Sequence, residues 1–259
     1  MRVELLSELW GLYLREVTRT YRNKAVLLMT FIQPVMWLVF FGSSLGNIPS
    51  SFLETFFHTN NYVAFLLPGE LSTGMLFVGM FSSMSLIQDK RFGYLKRVLV
   101  TRTPKAAVFL SKVFGATTRG LLQVPVMLVT ATFFGVKYPS DPVGFAETIG
   151  AIILLGLGLS SAYVMITMRS QDWQTPGVVS NFINLPLMFS SSALFPRAFF
   201  PSWMQALSDV NPIIYSANIG RSFILEADPN FLYLVYLMVF AGVMLSCGII
   251  MSRRWLVAE

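Results

Sequence analysis

Long stretches without charged residues divide the chain, and they supply the first structural prediction. No charged residue occurs between Lys24 and Glu54, for example, and comparable apolar runs recur toward the C-terminus. An α-helix rises 1.5 Å per residue, so about 20 apolar residues cross a hydrocarbon core of about 30 Å. The pattern predicts an all-α membrane protein with six membrane-spanning helices, over residues 25–45, 62–88, 112–136, 148–168, 174–195 and 231–251.

The overall composition agrees with this prediction and excludes several other classes. Of the 259 residues, 54% are hydrophobic and 12% charged, against about 25% charged in an ordinary soluble domain. A single cysteine (Cys247) and a single histidine (His58) exclude a disulfide framework within the chain and a Cys/His metal cluster. We find no internal repeat and no linker long enough to separate two domains, so residues 1–259 are predicted to form one transmembrane domain.

The distribution of positive charge predicts the orientation in the membrane. Sixteen of the 19 Lys and Arg residues fall on one side of the six predicted spans, and Lys137, Arg197 and Arg221 fall on the other. Because the cytoplasmic side of a membrane protein carries the excess of Lys and Arg, both termini are predicted to be cytoplasmic, in a cell (cytoplasmic) membrane. The basic charge is thereby explained by topology and contact with lipid, and no nucleic-acid partner is predicted.

The first 24 residues have the pattern of an amphipathic helix at the membrane surface. Leu6, Trp10, Tyr13, Val17 and Tyr21 recur at spacings of three and four, and charged residues occupy much of the remaining surface. The segment is too long and too acidic for the n-region of a signal peptide. We therefore predict an interfacial helix over residues 1–24, which acts either as a plain anchor or as a lever that touches a cytoplasmic partner.

The cytoplasmic loop from Gln88 to Pro104 is predicted to contain a short helix. Phe92, Leu95 and Leu99 form a short apolar stripe, and Thr103 followed by Pro104 is typical of the start of the next helix. A short helix, a sharp break and a long helix into the membrane would suit an element that transmits a push from the cytoplasm. An ordinary charged loop that follows the positive-inside rule is the alternative.

Polar residues inside the predicted spans mark surfaces that should avoid lipid. Glu70 follows Pro68-Gly69 well inside the second span, where a carboxylate is costly in lipid and should face protein, water or a cavity. It either lines a translocation path or is held by neighbouring polar groups near the kink. Gln33, Asn181, Asn184 and the run Ser190-Ser191-Ser192 suggest helix faces that meet protein, either within one chain or in a second copy.

The segment between the fifth and sixth spans, residues 196–230, is apolar but repeatedly interrupted by proline. Its apolar stretches are about a dozen residues long, each too short to cross a bilayer. Segments of this kind are typical of re-entrant or interfacial helices, whose irregular backbone must be covered by protein or line a cavity. We predict that this external segment dips into the outer leaflet and caps a path.

Two motifs of this chain resemble those of the ABC-2 type permeases, and the resemblance spans essentially the whole sequence. One is the loop Asp89-Lys90-Arg91-Phe92-Gly93-Tyr94-Leu95-Lys96; the other is Phe199-Phe200-Pro201-Ser202-Trp203 followed by Asn211-Pro212, Tyr215 and Arg221. The resemblance is to the small stand-alone permeases of drug-resistance and polysaccharide-export systems. It implies six spans, an interfacial N-terminal helix, a coupling helix between spans two and three, and a re-entrant hairpin before span six.

The resemblance also implies roles for particular residues. Contacts to a separate ABC ATPase subunit would be made by Arg91, Phe92, Gly93, Tyr94, Leu95 and Lys96. The external hairpin would contain Phe199, Phe200, Pro201, Trp203, Asn211, Pro212, Tyr215 and Arg221. A second permease copy, as in a homodimer, would complete a substrate path between the two copies. The residues that would line this path are Gln33, Trp37, Glu70, Phe77, Asn181 and Phe189.

The implied function is that of the membrane-spanning permease subunit of an ATP-driven exporter of a hydrophobic or amphipathic compound. The sequence lacks a G-x-x-x-x-G-K-[ST] phosphate-binding loop, so no ATPase activity or bound cofactor is predicted for this chain, and ATP and Mg would lie on the partner ATPase. Export of a polysaccharide or lipid-linked glycan is one alternative. An ATP-independent carrier or channel is another, disfavoured because Glu70 is the only acid well inside a span.

Overall fold

A computed structural model of the chain describes residues 2–46, 48–101, 103–170, 172, 174–228 and 230–256. Arg102, in the predicted cytoplasmic loop, and Pro229, in the predicted external segment, lie outside the described residues. The regular elements of the described ranges are helical: α1 (Arg2–Arg22), α2 (Lys24–Leu45), α3 (Ser50–Phe57), α4 (Tyr62–Arg91), α5 (Tyr94–Val100), α6 (Lys105–Leu121), α7 (Gln123–Phe133), α8 (Pro142–Arg169), α9 (Thr175–Phe189), a 3-10 turn (Arg197–Phe199), α10 (Ser202–Val210), α11 (Pro212–Ile224) and α12 (Phe231–Trp255).

Five helices among the described residues are long and apolar enough to cross a membrane. They are α2, α4, the consecutive pair α6–α7 (Lys105–Phe133), α8 and α12. Leu122, between α6 and α7, keeps helical dihedral angles, so the two helices continue in one direction. These five correspond to predicted spans 25–45, 62–88, 112–136, 148–168 and 231–251, and the chain is a helical multi-pass membrane protein.

The helix at the predicted fifth span is shorter than the 174–195 prediction. The helix α9 has 15 residues and ends at Phe189, which corresponds to about 22 Å of rise. Pro186 lies in its last turn, and the following serines form a turn in which Ser192 has a φ of 49°. Because α9 is this short, the count of six crossings stays a prediction.

At the start of α9, the backbone N–H and hydroxyl of Thr175 donate to Asp172 at 2.7 and 2.8 Å and lower the pKa of that carboxyl.

The central element is α4, which is buried over most of its length. It packs against α2, α6, α8, α9 and α11, and α12 covers the outer side of α8. Close approach depends on small residues at the contacts. A Cβ at Gly69 of α4 would lie 2.7 Å from the backbone of Ala193, and one at Gly248 of α12 would lie 2.0 Å from the ring of Phe109. The core thus surrounds α4, while α2 is largely exposed.

Helical structure in the first 24 residues agrees with the sequence pattern. Within the predicted 1–24 segment, α1 packs along α6. The side chains of Leu6, Trp10 and Tyr21 remain exposed, whereas Glu16 is buried against the bundle. Part of the apolar stripe therefore stays available to lipid, as expected for a helix at a lipid surface, whereas Tyr13 of the same stripe hydrogen-bonds Thr118 of α6 at 2.9 Å.

Helical structure also occurs between the predicted spans. The eight-residue helix α3 follows the first span, outside every predicted helix, and its Phe52 and Phe56 rings pack on Phe199. Pro104 has an extended conformation and precedes α6, so it is the residue before the helix rather than its first residue. Residues 196–230 contain the 3-10 turn, α10 and α11, of which α11 packs on α4, α8 and α12.

Candidate functional site

A cavity of about 600 Å³ lies beside α4, between α2 and the α6–α7 pair. Four of the six residues predicted to line a substrate path meet there, namely Gln33 and Trp37 from α2 and Glu70 and Phe77 from α4. They converge because α2 packs along one face of α4. The remaining wall is mostly apolar and includes Met188, Ala193 and Leu194. The cavity is large enough for a drug-sized molecule.

Two side chains that line this cavity carry oxygen atoms with no partner among the described residues. Glu70 is 7% exposed and makes no hydrogen bond or ion pair within the described part of the chain. Gln123, of α7, donates through Nε2 to the backbone oxygen of Leu71 at 3.2 Å, whereas its Oε1 has no partner among the described residues. Since a backbone oxygen can only accept, this contact assigns Nε2 and leaves Oε1 as a free acceptor. Sequence reasoning identified Glu70 but missed Gln123.

Arg119 contributes a positive charge to the same cavity, nearer its other end. Its Nε donates to the Thr30 hydroxyl at 3.0 Å. The adjacent Gly120 packs against Met75 and Val78 of α4, so Arg119 lies up to eight residues along α4 from Glu70, about 12 Å. From the sequence, Arg119 was counted only among the Lys and Arg residues of the cytoplasmic side and was not predicted to line the path.

The other two predicted path residues lie elsewhere in this single chain. Asn181 and Phe189 are exposed on α9 and do not line the cavity. The neighbouring Asn184 is buried, where it accepts from the Tyr163 hydroxyl and contacts the Met80 sulfur at 3.2 Å. The polar residues of α9 thus divide into an internal packing position and an exposed one. Which residues of α9 are buried depends on how the helix is rotated about its own axis, and a single sequence does not determine that rotation.

A buried ionic cluster joins α1, α4 and α6 at the end of the bundle where α4 terminates. The Asp89 carboxylate accepts from both terminal nitrogens of Arg15, at 3.1 and 2.9 Å, and from Lys112 Nζ at 2.5 Å. Lys112 also donates to Glu16 at 2.8 Å, and Arg19 donates to Asp89 at 3.3 Å. We call these five residues the Asp89 cluster, and the end of the bundle that carries it the basic end. The sequence analysis had counted its cations only as topology signals.

The segment predicted as a coupling helix lies at the basic end as the short helix α5. Gly93 has a φ of 70°, a conformation that favours glycine, and it makes the break between α4 and α5. The underside of the segment is fixed to the bundle. Arg15 stacks on the Tyr94 ring at 3.5 Å, and Lys90 Nζ donates to the backbone oxygens of Thr167 and Met168 at 3.1 and 2.8 Å.

Exposure divides the six predicted ATPase-contact residues. Phe92 is 73% exposed, an unusual position for a large apolar side chain, and Arg91 and Lys96 are also exposed. Leu95 is 5% exposed and packs in a small core with Leu86 and other apolar residues. Phe92, Arg91 and Lys96 are therefore available to a partner, whereas Leu95 faces the bundle.

Two of the predicted hairpin residues hold the turn that follows α9. Asn211 donates to the Leu187 backbone oxygen at 2.6 Å, and its Oδ1 accepts from the Ile213 N–H at the start of α11. Arg221 is buried on α11; it donates to the backbone oxygens of Ser192 and Phe65, at 2.6 and 3.2 Å, and stacks on the Phe65 ring. Arg221 thus connects α11, α4 and the turn, at the opposite end of the bundle from the Asp89 cluster.

The other predicted hairpin residues surround this anchor. Pro201 precedes α10, and Pro212 is the first residue of α11. Phe199 packs on α3, and the Phe200 backbone oxygen accepts from Gln205 at 2.8 Å. The Tyr215 hydroxyl donates to the Asp209 backbone oxygen at 2.5 Å, whereas Trp203 is exposed. Most of these residues therefore have structural contacts within the chain.

Comparisons with known proteins agree with this architecture. Residues 7–225 match the family model described as ABC-2 type transporter. The chain is 30% identical over 214 residues to the transport permease ycf38 of Cyanophora paradoxa, covering 82% of this chain and 72% of that protein. It is 24% identical over 201 residues to the daunorubicin resistance ABC transporter permease protein DrrB1 of Streptomyces coeruleorubidus (76% and 66% covered). It is 21% identical over 211 residues to the inner membrane transport permease YadH of Escherichia coli K12 (81% and 78% covered).

Proposed function

Because the chain belongs to the ABC-2 type transporter family, whose members are permease subunits without an ATPase site of their own, we propose that it moves a hydrophobic or amphipathic compound out of the cell with energy from ATP. A separate ABC ATPase subunit would bind ATP and Mg and hydrolyse the nucleotide. The observation that carries the proposal is the α2–α4 cavity of about 600 Å³. Its mostly apolar wall and aromatic side chains suit an amphipath better than a sugar polymer.

The proposed topology places the basic end in the cytoplasm of a cell membrane, with both termini on that side. This orientation follows from the excess of Lys and Arg at that end. It requires α9 to cross as the fifth of six spans, and α10 and α11 to form a re-entrant segment that starts and ends outside. The burial of α11 against α4 and α8 supports this assignment, since short helices at membrane depth must be covered by protein.

The proposed coupling element is α5 with the preceding turn. ATPase movements would reach the membrane helices through Phe92, Arg91 and Lys96, which are exposed, and through the contacts of Tyr94 and Lys90 beneath them. Nucleotide shifts the transporter between inward-open and outward-open states only as far as it binds one state better. A rigidly held α5 makes such a shift effective because its displacement must move α4.

We also propose that two copies assemble, as a homodimer, around one substrate path. The open side of the cavity is formed by α2, and α2 and α9 both carry exposed apolar side chains, including Met36, Phe40, Phe182 and Phe189. In a dimer, Asn181 and Phe189 would then complete the wall that a single chain leaves open. This proposal therefore accommodates the two predicted path residues that lie outside the cavity.

The test is reconstitution with the cognate ATPase in liposomes. We expect ATP-dependent accumulation of a fluorescent amphipath, and we expect none with an ATPase variant that binds but does not hydrolyse ATP. A parallel assay with a labelled oligosaccharide examines the glycan alternative. Equal flux of the amphipath in liposomes without ATPase or ATP would refute the proposal and favour an ATP-independent carrier.

A further inference from the structure

The charge arrangement inside the α2–α4 cavity points to a class of ligand. Glu70 is a buried carboxylate that no described side chain or backbone group neutralises. Burying an ionised carboxylate is costly unless a positive charge or several hydrogen bonds compensate it. In the free protein the group must be protonated or hydrated at this depth, so a cation that enters the cavity gains an interaction that the protein itself does not supply.

The surroundings of Glu70 favour a cation further. The Oε1 of Gln123 is buried against Gly74, one helical turn from Glu70 on α4, and accepts from no described donor. The rings of Phe77 and Trp37 also line the cavity. Acceptor oxygens and aromatic faces attract cations, whereas they offer an anion neither a donor nor a positive charge.

Arg119 decides where in the cavity the cation would bind. Arg119 also lines the crevice beside Lys112 at the basic end, and its backbone lies up to about 12 Å from Glu70 along α4. A positive ligand is repelled from that end and attracted to the other. The apolar body of the ligand can then extend along Phe77 toward the middle of the cavity.

We propose that this cavity selects lipophilic monovalent cations, with Glu70 as the residue that pairs with the ligand charge. The inference rests on the proposed transport function, since it gives the substrate class of the same cavity. It concerns binding, however, and so it can be tested on the permease alone, without ATP or the ATPase. Failure of transport with charge-selective binding intact would count against the proposed function and not against this inference.

The experiment compares two probes of the same size and shape but opposite charge, tetraphenylphosphonium and tetraphenylborate. Binding to the purified, detergent-solubilised chain is measured for the wild type, for Glu70→Gln, and for Glu54→Gln, which removes an exposed acid of α3. We expect the wild type and Glu54→Gln to bind the phosphonium at least about tenfold more tightly than the borate, because the Glu70 charge attracts the cation and repels the anion. In Glu70→Gln we expect the phosphonium Kd to rise about tenfold, with no loss of borate binding.

Wild-type protein supplies a second measurement that does not depend on a folded variant. A hydrophobic carbodiimide should label Glu70, and mass spectrometry can locate the adduct. We expect the phosphonium to protect Glu70 from labelling and the borate not to protect it. The inference is overturned if Glu70→Gln keeps the wild-type preference for the phosphonium, if the wild type shows no preference, or if Glu70 labelling is insensitive to the phosphonium.

Discussion

Replacing Asp89 by Asn tests whether the Asp89 cluster holds α1 and α4 together. The substitution keeps the size of the side chain but removes the charge that Arg15 and Lys112 share. The Lys112 side chain is 3% exposed, so its ammonium would remain buried with Glu16 as its one remaining acid partner. Breaking a buried ion pair from one side costs about 3–5 kcal/mol, and here the three cations of the Asp89 cluster would be left with Glu16 as the one acid of the cluster. We expect Asp89→Asn to lower the free energy of unfolding by that amount.

The assay is SDS-induced unfolding in mixed micelles, with Asp209→Asn as the matched control. Asp209 pairs with Arg197 at 2.7 Å, but both side chains are about half exposed. An exposed pair contributes about 0–1 kcal/mol, so the control should unfold nearly as the wild type does. A loss of less than 1 kcal/mol in Asp89→Asn, or equal losses in the two variants, would refute the argument that burial makes this cluster structurally important.

Three further predictions concern the other sites. Phe92→Asp should abolish co-purification with the ATPase and reduce ATP-driven transport at least tenfold. The free energy of unfolding should stay unchanged, because the Phe92 side chain is exposed. Retained co-purification would contradict the assignment of α5 as the coupling element. Gly69→Ala should lower the free energy of unfolding by about 1–3 kcal/mol, because the new Cβ would meet the Ala193 backbone. The control is Gly150→Ala, whose Cβ meets no atom within 4 Å. In the same assay this control should raise the free energy of unfolding by up to about 1 kcal/mol. Arg221→Met should cost at least about 2 kcal/mol, because the buried Ser192 backbone oxygen loses its donor and α4 loses the second bond to the Phe65 oxygen; wild-type stability would contradict that account.

The helices themselves could be predicted from the sequence because the bilayer imposes a simple rule on apolar length. Four of the residues named for a substrate path, Gln33, Trp37, Glu70 and Phe77, line one cavity, and their role stays a prediction. The ends of α2 were predicted nearly to the residue from the charge-free run after Lys24. The end of α9 was not, because the serines after Phe189 are small and uncharged, and nothing local distinguishes a helix end from a further polar turn of helix.

Pairings between distant residues could not be predicted from one sequence. Lys112 has the same sequence signature as a lysine at lipid headgroup level, yet it is buried between Glu16 and Asp89. Gln123 and Arg119 likewise enter the cavity only because α6 and α7 pack against α4 in a particular rotation. Length and charge determine which segments form helices, whereas the side-chain contacts depend on how those helices pack.

The position of Arg221 also has a consequence for biogenesis. Its guanidinium binds the Phe65 backbone oxygen, 156 residues earlier in the chain, and the Ser192 backbone oxygen, 29 residues earlier. During synthesis these oxygens emerge from the ribosome long before their partner, so this part of the nascent chain stays incomplete until α11 is made. A chain that terminates before Arg221 would therefore leave the Ser192 backbone oxygen without this donor, a feature by which cellular quality control could recognise it.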